Sequence, residues 1–194
     1  MKRALTVMVL LACAAPVAAQ TKGRVSVGVS VTYSKPTSED LKPTVSIGPL
    51  VRLNPKKGWG PAAGFSWLNT DIEDASGNEI GSLRTRPVMG GVAYTVGEQP
   101  VLVSFSVIAG PSFNRIEYDT PTFIGTAEAK TSIAVRPGVG VTFTLAPRFA
   151  IVGFGGFIVN RPEVTFRAPS GQESTSRWKA DAALVSAAAV VSLF

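Results

Sequence analysis

Histidine is absent from the 194 residues, and cysteine occurs once, at Cys13. A disulfide framework is therefore excluded, as are Cys/His zinc ligation and any reaction that needs a histidine base. Charge is scarce as well: Asp, Glu, Lys and Arg make up 16% of the chain, against roughly 25% in ordinary soluble domains. Beyond the N-terminal segment no run reaches the ~18–20 consecutive apolar residues that a spanning helix requires. Yet 45% of the residues are apolar and the mean hydropathy is +0.25, which argues against disorder. The length suits one domain. The apolar content must follow some pattern other than a helix.

The first residues read as a targeting segment. Met1-Lys2-Arg3 is a positive start, Ala4 to Ala15 is apolar apart from Thr6, and Val17-Ala18-Ala19 offers small residues for cleavage. A secretory signal peptide over 1–19, cut after Ala19, is expected. A competing reading takes Leu10-Leu11-Ala12-Cys13 as a lipoprotein box with Cys13 lipidated. Residues 20–194 then form one domain without cysteine. It holds 17 basic and 13 acidic side chains once Lys2 and Arg3 are gone.

That domain has period two. Val25, Val27, Val29, Val31 and Tyr33 alternate with Ser26, Gly28, Ser30 and Thr32, which marks a strand with one apolar and one small or polar face. The pattern returns near 45–53, 101–114 and 133–145, and less regularly over 59–69, 80–96, 148–167 and 176–194. Eight long strands are expected, an even count that suits a tilted transmembrane barrel. Pro49, Pro87, Pro111 and Pro137 fall inside strands, where each removes a ladder donor. They are read as outward-facing bulges or bends. The alanine-rich tail 182–194 suits a helix by propensity, but a final strand is favoured because lipid tolerates no open sheet edge. As a strand it sets Trp178, Ala180, Ala182, Leu184, Val190 and Phe194 outward, opposite Lys179 and Asp181.

Long polar connections near 34–42, 70–79, 118–129 and 161–175 alternate with short ones at Asn54–Gly58, Gly97–Gln99 and Ala146–Arg148. Eleven of the thirteen acids sit in or beside the long connections; only Glu98 and Asp181 fall elsewhere. Arg52, Arg84, Arg86, Arg136 and Lys179 instead fall on the small-residue face. Charge on that face must meet water or other charge, so these five and Asp181 are expected to form an ion network in the barrel lumen. Aromatic residues near strand ends, among them Tyr33, Trp59, Tyr94, Phe113 and Trp178, suit two interfacial belts.

Together with the terminal Ser192-Leu193-Phe194, these features resemble the small bacterial outer-membrane β-barrel proteins of the OmpA/OmpX-like or OmpW-like type. The resemblance implies an all-β, eight-stranded antiparallel up-and-down transmembrane barrel in a Gram-negative cell envelope. It places the short turns on the periplasmic side and makes Phe194 part of the signal read by the outer-membrane assembly machinery.

Function is bounded by exclusion. Histidine-dependent chemistry is out. A Ser-Lys or paired-carboxylate site on Lys179 and Asp181 competes with a plain structural ion pair, so no enzyme and no cofactor or metal is expected. An eight-stranded interior is just wide enough to be filled by side chains, which argues against open-porin conductance. A structural or surface-interaction role with a filled lumen and acidic external loops is the main reading. A narrow channel or small hydrophobic-ligand transporter of OmpW-like type is one alternative. A soluble periplasmic lipocalin-like barrel, with the valine face inward, is the other. Arg115, Lys130, Arg161, Arg167 and Arg177 stand at the external strand ends, where they either meet lipopolysaccharide phosphates or remain solvated. The partners expected are outer-membrane lipid and lipopolysaccharide, with the assembly machinery during biogenesis. Nucleic acid is not among them, and the protein is expected to be a monomer.

Overall fold

In the computed structural model, residues 25–73, 77–118 and 126–193 are described. The signal segment, Cys13, Asp74 and Phe194 lie outside them. Twelve strands form among these residues: β1 (Val25–Pro36), β2 (Thr44–Leu53), β3 (Gly58–Phe65), β4 (Leu68–Glu73), β5 (Glu79–Glu98) and β6 (Val101–Tyr118), followed by β7 (Thr126–Ala129), β8 (Ser132–Ala146), β9 (Phe149–Asn160), β10 (Glu163–Arg167), β11 (Glu173–Arg177) and β12 (Ala182–Ser192). Nine strands make one antiparallel sheet in the order β3-β2-β1-β12-β9-β8-β6-β5-β4, with β3 also pairing β5. The remaining three make a second sheet, β11-β10-β7.

The expectation of eight strands in a single up-and-down barrel is thereby corrected to twelve strands in two sheets. Two physical causes account for the difference. Two of the long connections carry strands of their own. Thr126-Ala-Glu-Ala, Glu163-Val-Thr-Phe-Arg and Glu173-Ser-Thr-Ser-Arg each pair as strands, with Val164 in register with Ala129 on one side and Ser176 on the other. Their charge had suggested loops, but cross-strand partners of opposite sign are compatible with a ladder. The third segment, in turn, is broken in two. Phe65 pairs Val88 and Leu68 pairs Thr85, so Ser66 and Trp67 fall opposite Pro87 and Arg86. The Ser66 amide donates to the Pro87 carbonyl at 3.4 Å, and proline has no N–H to return the bond.

The prolines do not make bulges. Register shifts occur only at Ile72/Glu73 and Thr144/Ala146 among the described pairings, and pairing runs in step on both sides of Pro87 and Pro137. Pro49, Pro111 and Pro137 do face outward, whereas Pro87 is buried. The tail is a strand, but its facing is reversed: Ala182, Leu184 and Val190 are buried, and Val185 and Val191 are exposed.

Side chains sort as a membrane demands. Val29, Ile47, Val92, Phe105, Val107 and Ile133 point outward, Ile47 and Ile133 being 69% and 68% exposed. On β6 the outward apolar run from Val101 to Phe113 spans about 30 Å in a strand tilted as in such barrels. Scattered apolar residues on a soluble surface need no explanation, but a continuous face of this extent does. The inner face carries Ser26, Ser34, Ser46, Thr95, Ser112 and Thr142, all buried. Trp59 and Tyr94, directly paired, meet at a 50° tilt with ring centroids 5.2 Å apart at the short-turn end. There Gly58 and Gly97 take φ of +88° and +97°, left-handed backbone that favours glycine.

At the opposite end the sorting inverts. Leu41, Ile72, Leu83, Ile116, Ala129 and Val164 form an inner apolar cluster, with Phe166 and Trp178 packed on it. Trp178 therefore belongs to this cluster, its ring centroid 5.7 Å from that of Phe166 at a 39° tilt, and not to an interfacial belt.

If the outward face is in hydrocarbon, Val29→Arg, midway along β1, should lower unfolding free energy in lipid vesicles by about 2–4 kcal/mol, and Tyr33→Arg at the edge by about 0–1. Urea titration checks this; equal small losses would contradict the placement.

Candidate functional site

The six residues expected to share a lumen network occupy four different environments. Arg52 on β2 and Arg136 on β8 point inward, among the residues lining a cavity of about 130 Å³. Arg52 Nη2 donates to Thr142 Oγ1 at 3.2 Å, and Arg136 Nη1 donates to Ser66 Oγ at 2.6 Å. Both bonds cross the inner space: the first joins β2 to β8, on opposite stretches of the main sheet, and the second joins β8 to the junction of β3 and β4. The guanidinium of Arg136 also lies 4.9 Å from the centroid of Phe154. That ring can sit there because of glycine: a Cβ at Gly156 would come within 2.7 Å of Phe154 Cζ.

Arg84 and Arg86 face outward, in register with Arg115 and Phe113. They lie on β5 beside the inverted end, where the inner side is apolar (Leu83) and the outer side is therefore the polar one. Arg84 Nη2 pairs with Glu117 Oε2 at 2.6 Å. Arg86 stacks on Trp67, 3.7 Å from the ring centroid. Trp67 in turn packs against β2 at Gly48, where a Cβ would meet Trp67 Cβ at 2.7 Å. Lys179 is exposed between β11 and β12.

Asp181 is buried, and its partner is Arg161 rather than any of the arginines expected. Arg161 Nε and Nη2 donate to Asp181 Oδ2 at 3.2 and 3.0 Å, and the Asn160 amide donates to Oδ1 at 2.9 Å. Around it Asn160 Nδ2 donates to Asn114 Oδ1 at 3.0 Å and Ser132 Oγ to Asn160 Oδ1 at 2.5 Å. This polar knot joins β6, β8, β9 and the start of β12 where the apolar band ends.

The five cations expected to meet lipid phosphates stand at this same end, mostly beside carboxylates. Arg115 pairs with Glu117 at 3.2 Å and Arg167 with Glu173 at 2.6 Å. Lys130 pairs with Glu163, and Arg177 is in register with Glu163 across β10 and β11. The hydrogen bond from Lys130 holds the Glu163 carboxyl below its usual range and raises the lysine. A depressed carboxyl contributes stability above the ordinary glutamate pKa and loses it as pH falls through its folded value.

Three of these contributors went unnoticed in the sequence: Ser66, Phe154 and Asn160. The run Gly153-Phe154-Gly155-Gly156 was a usable signal, since a lone aromatic among glycines marks a ring that needs close approach.

An apolar outer face, a polar inner face and a charged outer rim define an integral outer-membrane β-sheet protein. The chain belongs to the outer membrane protein beta-barrel domain family, whose model matches residues 4–179. No curated protein matches it. Among solved structures it is similar to OprG of Pseudomonas aeruginosa (TM-score 0.57, 8% identity, 88% of this chain and 93% of that one) and to outer membrane protein W of E. coli (0.56, 9%, 88% and 98%). AlkL in lipid bilayers is similar too (0.58, 10%, 88% and 90%). The protein is an outer-membrane protein, which removes the soluble lipocalin-like alternative. As a class, such proteins contact membrane lipid and are inserted by the assembly machinery. Among the described residues no group of three or more His, Cys, Asp or Glu is placed to hold a metal ion.

Removing Asp181 orphans a buried amide and one face of Arg161. The Arg161 side chain is 54% exposed, so the cost falls below that of a fully buried pair. Asp181→Ala should therefore cost about 1–3 kcal/mol, and Glu98→Ala, whose partner Lys57 is as open as itself, about 0–1. Urea midpoints in detergent compare the two, and equal shifts would contradict the buried role.

Proposed function

We propose that this is a non-enzymatic outer-membrane barrel protein with a structural and surface-interaction role, its interior filled by side chains and closed to free diffusion. The observation that carries this reading is the pair of crossing bonds, Arg52 to Thr142 and Arg136 to Ser66, with apolar clusters toward either end of the inner space. In this reading residues 1–19 direct export and 20–194 form the membrane domain. Phe194 is read by the assembly machinery, and the long connections are external. The acidic residues there serve mainly to keep that surface solvated and to anchor cations. Arg115, Lys130, Arg161, Arg167 and Arg177 ring the outer edge of the apolar band and meet lipopolysaccharide phosphates; Arg177 is the freest to do so. The protein acts as a monomer.

A second reading, a narrow path or a pocket for a small hydrophobic ligand, draws support from the cavity of about 130 Å³. Ion conductance separates an open path from an interior closed to free diffusion. Reconstituted in a planar bilayer, the wild type should pass no steady porin-like current, and Arg52→Ala with Arg136→Ala should raise the current by removing both crossing side chains. A steady open-pore current in the wild type would contradict the filled interior.

A further inference from the structure

Arg52 and Arg136 are the charged residues lining the cavity. The ion pairs formed by arginines among the described residues all involve others: Arg84, Arg115, Arg161 and Arg167. Each interior guanidinium is held by a single neutral hydroxyl, and Arg136 Nε is buried with no acceptor at all. A shielded cation without an anion is costly; at the rim Arg84, Arg115, Arg161 and Arg167 meet carboxylates, and Arg86, whose Nε is likewise buried without an acceptor, lies over the Trp67 ring instead. The remaining lining is of two kinds. Ser30, Thr32, Ser104 and Ser106 offer hydroxyls, whereas Leu50, Val152 and Phe154 offer an apolar wall.

We propose that the cavity binds a small organic carboxylate, a short-chain monocarboxylic acid of about six heavy atoms. The size follows from the volume of about 130 Å³, close to the roughly 150 Å³ that accommodates benzene. The charge follows from the guanidiniums, whose planar donors suit a carboxylate. The organic part follows from the wall of Leu50, Val152 and Phe154, which has nothing to offer a fully hydrated ion. The lining extends toward the short-turn end, to Leu53 and to Pro55 in the short β2–β3 connection. The inner apolar cluster of Leu68, Met89, Ile108, Ile158 and Leu184 stands on its other side.

The inference rests on the reading of an interior closed to free diffusion. A steady current in the bilayer would overturn that reading, whereas loss of ligand binding in a non-conducting protein overturns this one alone. The test is calorimetric titration of the full folded chain in lipid nanodiscs with butyrate, 1-butanol and inorganic phosphate. Saturable binding of one butyrate is expected, at least tenfold tighter than butanol or phosphate. Arg136→Gln and Arg52→Gln should each weaken it at least tenfold, and Arg115→Gln on the outer rim should leave it unchanged. Butanol binding as tightly as butyrate would overturn the charge, and phosphate binding as tightly would overturn the organic acid. Undiminished affinity in both interior variants would overturn the site. Should those variants fail to fold, the arginine Nε resonances of the wild type decide. Shifts confined to Arg52 and Arg136 on adding butyrate support the site, and unmoved resonances overturn it.

Discussion

In hydrocarbon no water is available to satisfy a peptide group, so each main-chain donor and acceptor must find its partner within the sheet. This constraint orders the rest of the molecule. It explains why β1 pairs along its length with both β2 and β12, and why the alanine-rich tail is a strand despite its helical propensity. It also shows where the ladder yields. Pro87 lacks the donor that Ser66 would meet, and the strand breaks there into β3 and β4. Beside the break, side chains replace main-chain pairing: the Asn69 amide donates to Ser46 Oγ at 3.0 Å, and Trp67 fills the space over Gly48.

Lipid also fixes the outer face, and its influence ends with the membrane. From Val88 to Val96 on β5 the outward residues include Val88, Val92, Tyr94 and Val96, all exposed and apolar. Two positions earlier they are Arg84 and Arg86. Past that line water lies outside, and the apolar side chains Leu83, Ile116 and Val164 turn inward to a core of the ordinary soluble kind. The polarity of the strand has inverted without any change in its register, which runs continuously from Gly81–Tyr118 to Pro87–Ser112 and resumes at Gly90–Ala109.

That inversion explains what was legible in the sequence and what was not. Within the membrane the alternation has a single meaning. The strands of Val29, Val103 and Val139 were therefore placed by pattern alone, with their faces correctly assigned, and Arg52 and Arg136, set on the inner face by the same pattern, are among the residues lining the cavity. Arg84 and Arg86 were set on the same inner face because nothing in the local pattern marks where lipid ends. The charged connections were read as loops for a related reason. Outside the membrane a strand such as Glu173-Ser-Thr-Ser-Arg177 needs no apolar face, and it shows none. It pairs with β10 as a hairpin, from Arg167–Glu173 to Glu163–Arg177, and only the pairing of β10 with β7 joins segments distant in sequence. The parity of the last strand was lost in a run of alanines too uniform to show a face. Which carboxylate meets which cation could not be read either: Asp181 and Arg161 are brought together by the Asn160 turn, a tertiary contact without a local signature.

The account stands on the outward apolar band and its inversion at one end. The most direct measurement is a single-cysteine scan of β5 from Leu83 to Val96 in lipid bilayers. Each position is spin-labelled and its accessibility to oxygen and to a water-soluble nickel chelate is compared. Oxygen access is predicted at 88, 92, 94 and 96, chelate access at 84 and 86, and protection from both at 83, 85 and 89. Chelate access at 88 and 92, or an unbroken oxygen-accessible face through 84, would contradict the account.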